Sequence, residues 1–406
     1  MKMKNKMVYF LAVSAILGIA SIGAARNDNR VDVFVSFDGT PGFADAALIR
    51  AFGGRVTYVY SITPAIAANI PEAAISGLLH NPHVTAVELD SEVYAADPEL
   101  DNSWGVKRIG AGTVHDGGNK GLGIKIGIID SGTDYTHPDL RDNFDSLNRG
   151  YDFVQNDDDP MDVYGHGTHV AGTACAEDNN FGVVGVAPNC ALYSLRVLNN
   201  DGVGSWSATI AAMDWAVKNG MQMVNLSLGS SRDPGTAVKT AFDNAEKAGL
   251  VIVAAAGNSG NKAGKGDNII YPAKYASVIA VGATTDSTDN KRASFSSTGS
   301  TLELMAPGVS VLSTWNDSIS YLNPQPFCLD SVCYYKYGSG TSMASPHVAG
   351  VAALVIAAGV PDYNGDGVIN NRDVRAILDA TATDLGAAGK DAQYGYGLVN
   401  AAAATF

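Results

Sequence analysis

Five short apolar runs punctuate the middle of the chain: Ile124–Ile129, Ala191–Leu198, Met223–Leu228, Leu250–Ala255 and Val278–Val281. Each is rich in Val, Ile or Leu and is bounded by Gly, Asn or Asp. Continuous rather than alternating apolar character marks strands buried on both faces of a parallel sheet. Helical spacing fills Ser207–Lys218 and Thr236–Lys247 between them. Alternating β and α predicts an α/β fold, a doubly wound, mostly parallel sheet with helices on both faces. Ligands in such folds bind beyond the carboxyl ends of the strands.

The pattern before residue 100 is different. Val31–Phe37 and Arg55–Ser61 alternate like half-buried strands, Ile70–Leu79 has helical spacing with Pro71 early, and Val84–Leu89 reads as a strand. This predicts a small α+β domain over 26–96. The polar stretch Ala95–Asp101 reads as a linker to a second domain over 97–406. Lys2, Lys4 and Lys6 precede an apolar run from Val8 to Ala20 and then small residues. That is a secretory signal over 1–25, cut near Ala25, and the expected location is extracellular. No internal apolar run suggests a membrane span after signal removal.

Composition narrows the function. With 27 Lys+Arg against 41 Asp+Glu the net charge is −14, which excludes a nucleic-acid backbone binder. Export permits disulfides. Four Cys allow three pairings, of which Cys175/Cys190 and Cys328/Cys333 are the local ones.

Three segments carry candidate chemistry. Asp130-Ser-Gly-Thr-Asp-Tyr-Thr-His-Pro-Asp-Leu140 follows the first buried run. Gly165-His-Gly-Thr-His-Val-Ala-Gly-Thr173 holds His166 and His169 at a spacing of three, without the adjacent Glu and i,i+4 spacing of a zinc helix. An imidazole between two glycines at a helix start suits a general base. Gly338-Ser-Gly-Thr-Ser-Met-Ala-Ser-Pro-His-Val-Ala-Gly350 puts Ser342 at the start of an apolar helix, where the dipole favours developing negative charge. A dinucleotide fingerprint is excluded, because Gly121-Leu-Gly123 precedes a strand instead of following one.

In this order the three segments resemble the subtilisin-like serine proteases (subtilases), from about Trp104 to Ala402. The resemblance implies that Ser342 is the nucleophile, His166 the general base and acid, and Asp130 its orienting carboxylate. Ala254-Ala-Ala-Gly-Asn-Ser-Gly260 matches the oxyanion segment, with Asn258 as donor. Ser227-Leu228-Gly229 and the Gly202, Gly204, Trp206 segment match the strands that pair with a polypeptide substrate. Ala256 and Gly257 wall the pocket for the residue before the cut. Ile270 replaces a small floor residue there and Ser259 stands where some relatives carry an acid, so small or modest apolar residues are expected over Lys or Arg. A catalytically silent peptide-binding scaffold of the same fold is the competing reading.

The same resemblance implies structural Ca²⁺ at two sites. The first takes Asp139, Asn179 and carbonyls of Glu177, Phe181 and Val183, with Asp97 or Asp101 as an N-terminal ligand. The second is read from the residues themselves. Asp362-Tyr-Asn-Gly-Asp-Gly-Val-Ile-Asn-Asn-Arg-Asp373 has the EF-hand spacing, with Asp362, Asn364, Asp366, the Val368 carbonyl and Asp373 as ligands and Gly367 at the turn. A further cation position falls near Ala273, Tyr275 and Glu303. Residues 26–96 resemble the family's inhibitory propeptide, so a self-processed zymogen cut near Tyr94–Ala96 is expected. The working form is expected to be a monomer. Trp315–Tyr337 is longer than the family's usual link and reads as a surface loop.

Overall fold

The computed structural model describes residues 29–90, 97–286, 288–316, 327–329 and 332–405. The expected signal, the processing stretch Tyr94–Ala96 and the side chain of Cys333 lie outside the described residues. The chain divides into two compact units between Ala95 and Ala96.

The first unit runs β1 (Arg30–Phe37), α1 (Phe43–Ala51), β2 (Arg55–Val59), β3 (Ala65–Pro71), α2 (Ala74–Leu79) and β4 (Val84–Leu89). The strands form an antiparallel sheet of order β2-β3-β1-β4. Alternate β1 residues Val33, Val35 and Phe37 are buried with Ile49, Ile66 and Leu78. The helix expected from Ile70 starts at Ala74, because Ile70 and Pro71 end strand β3. That strand is internal to the sheet and nearly continuously buried, so it lacks the alternation that marks a strand in sequence.

The second unit opens with short helices α3 (Pro98–Asn102), α4 (Trp104–Arg108) and α5 (Ala111–Asp116). Asp97 caps α3 by accepting from the Leu100 N–H at 2.9 Å, so the expected linker is ordered by an Asp-Pro helix start. Then follow β5 (Lys125–Asp130), β6 (Gly150–Asp152), α6 (His166–Cys175), β7 (Ala191–Arg196), α7 (Trp206–Lys218), β8 (Met223–Leu226), α8 (Thr236–Lys247), β9 (Val251–Ala255) and β10 (Ile279–Thr284). The chain continues with β11 (Leu304–Pro307), β12 (Val311–Thr314), β13 (Phe327–Leu329), β14 (Val332–Gly338), α9 (Thr341–Ala358), α10 (Asn371–Thr381) and α11 (Ala401–Thr405).

Seven strands form a parallel sheet of order β11-β10-β9-β8-β5-β7-β6. One apolar core packs α6 and α9 on one face and another packs α7 and α8 on the other. Strand order reverses at β5, so the carboxyl end of β5, at Asp130, is the switch-point crevice. Helix α9 is apolar enough and, at 18 residues, long enough to cross a bilayer, but it is the buried central helix of the core. The expected surface loop 315–337 is in part a sheet: β14 pairs with β12 and β13, and Tyr335 is fully buried. Cys175 and Cys190 are joined across 15 residues.

Candidate active site

Asp130 ends β5 and is fully buried. Its Oδ1 lies 2.8 Å from His166 Nδ1 and accepts the Ser131 N–H at 2.7 Å. Its Oδ2 is buried without a hydrogen-bond partner among the described residues. His166 begins α6, and Gly165 before it adopts φ +97°. A Cβ at Gly165 would also lie 2.4 Å from the Trp315 ring, so only glycine fits. Burial lowers the His166 pKa, but the charge and hydrogen bond of Asp130, with Asp162 beyond, outweigh it and leave the imidazole above its ordinary value.

His169 has a different role from His166. Its Nε2 lies 3.0 Å from the carbonyls of both Val311 and Lys336, so that nitrogen carries the proton and cannot bind a metal. Burial pushes its pKa down to about 3.

Ser342 lies in the first turn of α9. Its hydroxyl donates to the Ser227 carbonyl at 3.2 Å, and no hydrogen bond to His166 is present among the described residues. Apo catalytic hydrogen bonds are commonly loose in this way. The oxyanion candidate is more tightly set. Asn258 Oδ1 accepts both the N–H and the hydroxyl of Thr341, at 2.9 and 3.0 Å. That fixes the amide so its Nδ2 is the free end. A Cβ on Gly340 would meet Asn258 Nδ2 at 3.4 Å and Ser342 N at 3.7 Å, so the two donors flank one small space.

A cleft of about 480 Å³ adjoins His166 and is lined by Gly202, Gly204 and Trp206 on one side and Ser227, Leu228 and Gly229 on the other. Tyr164, which sequence reasoning missed, closes it by packing on Gly202, where a Cβ would sit 2.7 Å from its ring. Ile270 fills the gap between two glycines: a Cβ on Gly229 would lie 2.7 Å from its Cδ1, and one on Gly257 2.9 Å from its Cγ2. Its N–H bonds the Ala256 carbonyl at 3.0 Å.

Around the first calcium candidate, Asp139 is fully buried and accepts Asn179 Nδ2 at 3.1 Å, the Val183 N–H at 3.0 Å and the Tyr335 hydroxyl at 3.2 Å. Of the N-terminal carboxylates it is Glu99, rather than Asp97 or Asp101, that faces this loop. Glu99 accepts the N–H groups of Asn179 and Phe181 at 3.1 and 2.7 Å, whereas Asp97 caps α3 and Asp101 pairs with Lys107 in solvent. One helical turn sets this choice. The Glu177 carboxylate accepts the Asp142 N–H at 2.8 Å and also contacts the Asn179 side chain. Burial raises Asp139 to about 8 and Glu99 to about 7. Two buried carboxylates close enough for the charge of Glu99 to raise Asp139 are hard oxygen donors of the kind that suit Ca²⁺.

The 362–373 loop has the turn geometry of its spacing. Gly365 and Gly367 adopt φ +74° and +84°. Asp362 accepts their N–H groups at 2.9 and 3.0 Å, and Asn364 and Asp366 each close a turn two residues on. The Val368 carbonyl accepts Asn370 Nδ2 at 3.0 Å. Asp373 is turned onto the Tyr363, Asn364 and Asn370 N–H groups, which hold its pKa below the usual value. The cation position expected near Ala273, Tyr275 and Glu303 is taken by Arg375, whose guanidinium bonds both Glu303 oxygens and the carbonyls of Ala276 and Val278. No cluster of three or more His, Cys, Asp or Glu side chains suited to a metal occurs among the described residues.

Residues 121–397 match the model of the subtilase family of peptidases. The chain is 38% identical to subtilisin E of Bacillus subtilis over 395 residues, 96% of this chain and 94% of that protein. It is 46% identical to subtilisin DY of Bacillus licheniformis over 301 residues, covering 74% and 97%. It is 40% identical to an alkaline protease of Alkalihalobacillus alcalophilus over 351 residues, covering 86% and 82%. Together with the parallel sheet and the residues gathered at its switch point, these likenesses establish that the chain belongs to the subtilase family and is a serine endopeptidase.

Proposed function

We propose that the protein is a secreted, calcium-stabilised endopeptidase that cuts polypeptides through an Asp130–His166–Ser342 triad and is made as a self-processed zymogen. The observation that carries the mechanism is the orientation of Asn258. With its carbonyl held by Thr341, its amide faces the Ser342 N–H across one small space.

The extended substrate lies between the 202–206 and 227–229 segments, and main-chain bonds supply register. The Ser342 proton leaves the Ser227 carbonyl for His166 Nε2 as Oγ attacks the scissile carbonyl. Asp130 keeps Nδ1 protonated and stabilises the imidazolium. Asn258 Nδ2 and the Ser342 N–H receive the oxyanion, and the α9 dipole adds to them. His166 then protonates the leaving amine, and water repeats the sequence on the acyl-enzyme. Ile270 shortens the pocket, which favours small or modest apolar residues before the cut.

Ca²⁺ bound by Asp139, Asn179, Glu99 and the carbonyls of Glu177, Phe181 and Val183 would neutralise buried charge and clamp the loop. A second ion fits the 362–373 loop. Residues 26–96 act as folding aid and inhibitor, removed near Tyr94–Ala96.

The test is labelling by a serine-directed fluorophosphonate, with casein hydrolysis followed with and without chelator. Labelling that disappears in Ser342→Ala, and hydrolysis that chelator weakens, are expected. A folded but unlabelled wild type leaves the silent scaffold instead.

A further inference from the structure

Asp162 lies just before the histidine-bearing helix and is fully buried. Its Oδ1 accepts the Ser131 hydroxyl at 3.0 Å and the N–H groups of Tyr164 and Gly165 at 2.9 and 2.8 Å. Its Oδ2 accepts the Thr168 N–H at 2.9 Å and the Thr168 hydroxyl at 2.6 Å. Ser131 directly follows Asp130, and its Oγ accepts the Gly167 N–H at 2.9 Å. One carboxylate therefore reaches both chain segments that carry the Asp130–His166 pair. It holds the residue before His166 directly and the residue after it through Ser131. Burial pushes the Asp162 pKa above the ordinary carboxylate value while these hydrogen bonds pull it down. Because all five partners are donors, a proton on this group, or an amide in its place, would point one donor at another.

We propose that Asp162, as a carboxylate, is a positioning residue that fixes His166 against Asp130 and sets a second negative charge behind the imidazole. This rests on the triad reading above. Five charge-assisted bonds to one buried group are more than a turn needs, and they converge on the two segments the proton transfer uses. Asp130 and Asp162 both raise the His166 pKa against burial. The other titratable neighbours are His169, one turn along α6 and neutral, and Lys336 of β14, behind His169.

The test is Asp162→Asn in the full chain, with active sites counted by fluorophosphonate. A kcat loss of roughly 10- to 100-fold is expected with KM little changed, as small misplacements of catalytic groups cost on this scale. The acid limb of kcat/KM should move to lower pH, because His166 loses a negative neighbour. An acid limb at the wild-type pH, with loss confined to melting temperature or to the count of active sites, overturns the proposal. Should Asp162→Asn fail to fold, Ser131→Ala cuts the bridge between the two segments. Reduced kcat at unchanged KM then supports the proposal, and wild-type kcat overturns it. Failure of the triad reading is separate, since it would appear as wild-type turnover in Ser342→Ala.

Discussion

The hydroxyl of Ser227 donates to the Ser342 carbonyl at 2.8 Å, where a helical N–H would otherwise stand. The residue four along from Ser342 is Pro346, which has no N–H to give. Ser345 Oγ and Asn225 Nδ2, at 2.9 and 3.0 Å from Ser227 Oγ, complete the knot. Ser227→Ala should orphan the Ser342 carbonyl and the Asn225 amide at a cost of about 1–3 kcal/mol each. Denaturant unfolding would register this, and an unchanged midpoint would remove Ser227 Oγ as the surrogate donor.

Asn258→Ala should lower kcat by about 10²–10³-fold with little change in KM, the usual loss for one oxyanion donor. Thr341→Val leaves the Thr341 N–H on Asn258 Oδ1 and removes only the hydroxyl, so its loss should be smaller. The reverse order of the two variants in steady-state kinetics would show that Asn258 is not the donor.

Ile270→Gly should open the pocket between Gly229 and Gly257 and shift preference from Ala toward Phe before the cut. Rates on peptides ending in Ala, Phe and Lys measure it. Fastest turnover of Lys by the wild type would contradict the pocket shape.

Acid stability follows from two buried imidazoles. Burial lowers His169 to about 3 and His347 to about 4, from 6.5. Both are protonated in the unfolded chain but not in the fold as pH drops below 6.5. The contribution of each histidine is therefore complete above 6.5 and falls by up to ~1.4 kcal/mol per pH unit until its folded value is reached, whereas the raised Asp139 and Glu99 carboxylates act in the opposite sense over the same range. The stability of the wild type relative to His347→Gln, from urea unfolding between pH 7 and 4, should fall with that slope, and a pH-independent difference would contradict it.

Much of this was legible in residue order, for stated reasons. The buried strands at β8, β9 and β10 declared themselves because both faces are apolar, and α8 is Thr236–Lys247 as its spacing required. What escaped depended on long-range pairing. Strand β3 carries an alanine-rich sequence that only its neighbours make extended, and β14 becomes a strand by joining β12. Sequence does not separate Glu99 from its acidic neighbours, because a single turn of helix decides which of them points inward. Asp162 had a local signal, an Asp three residues before a helix-start glycine, but such a residue is ordinarily a cap. Its second contact, to Ser131, is 31 residues away in sequence.

Two calcium ions per chain are expected by calorimetry, and the two sites should separate by mutation. Asp362→Ala/Asp366→Ala removes the turn-forming carboxylates of an exposed loop and should delete one ion with little loss of fold, since α10 stays anchored by Asn371 on the Glu246 and Leu250 carbonyls. Asp139→Asn should delete the other and cost more, because its side chain holds Asn179, Val183 and Tyr335 together in the core. The reason is linkage: an ion that binds only the folded state adds RT ln(1 + [Ca²⁺]/Kd), about 2.7 kcal/mol at a hundredfold excess over Kd. Chelator should therefore lower the melting temperature of the wild type more than that of either variant. Unchanged stoichiometry in the double alanine variant would mean that the 362–373 loop keeps its turns without a metal.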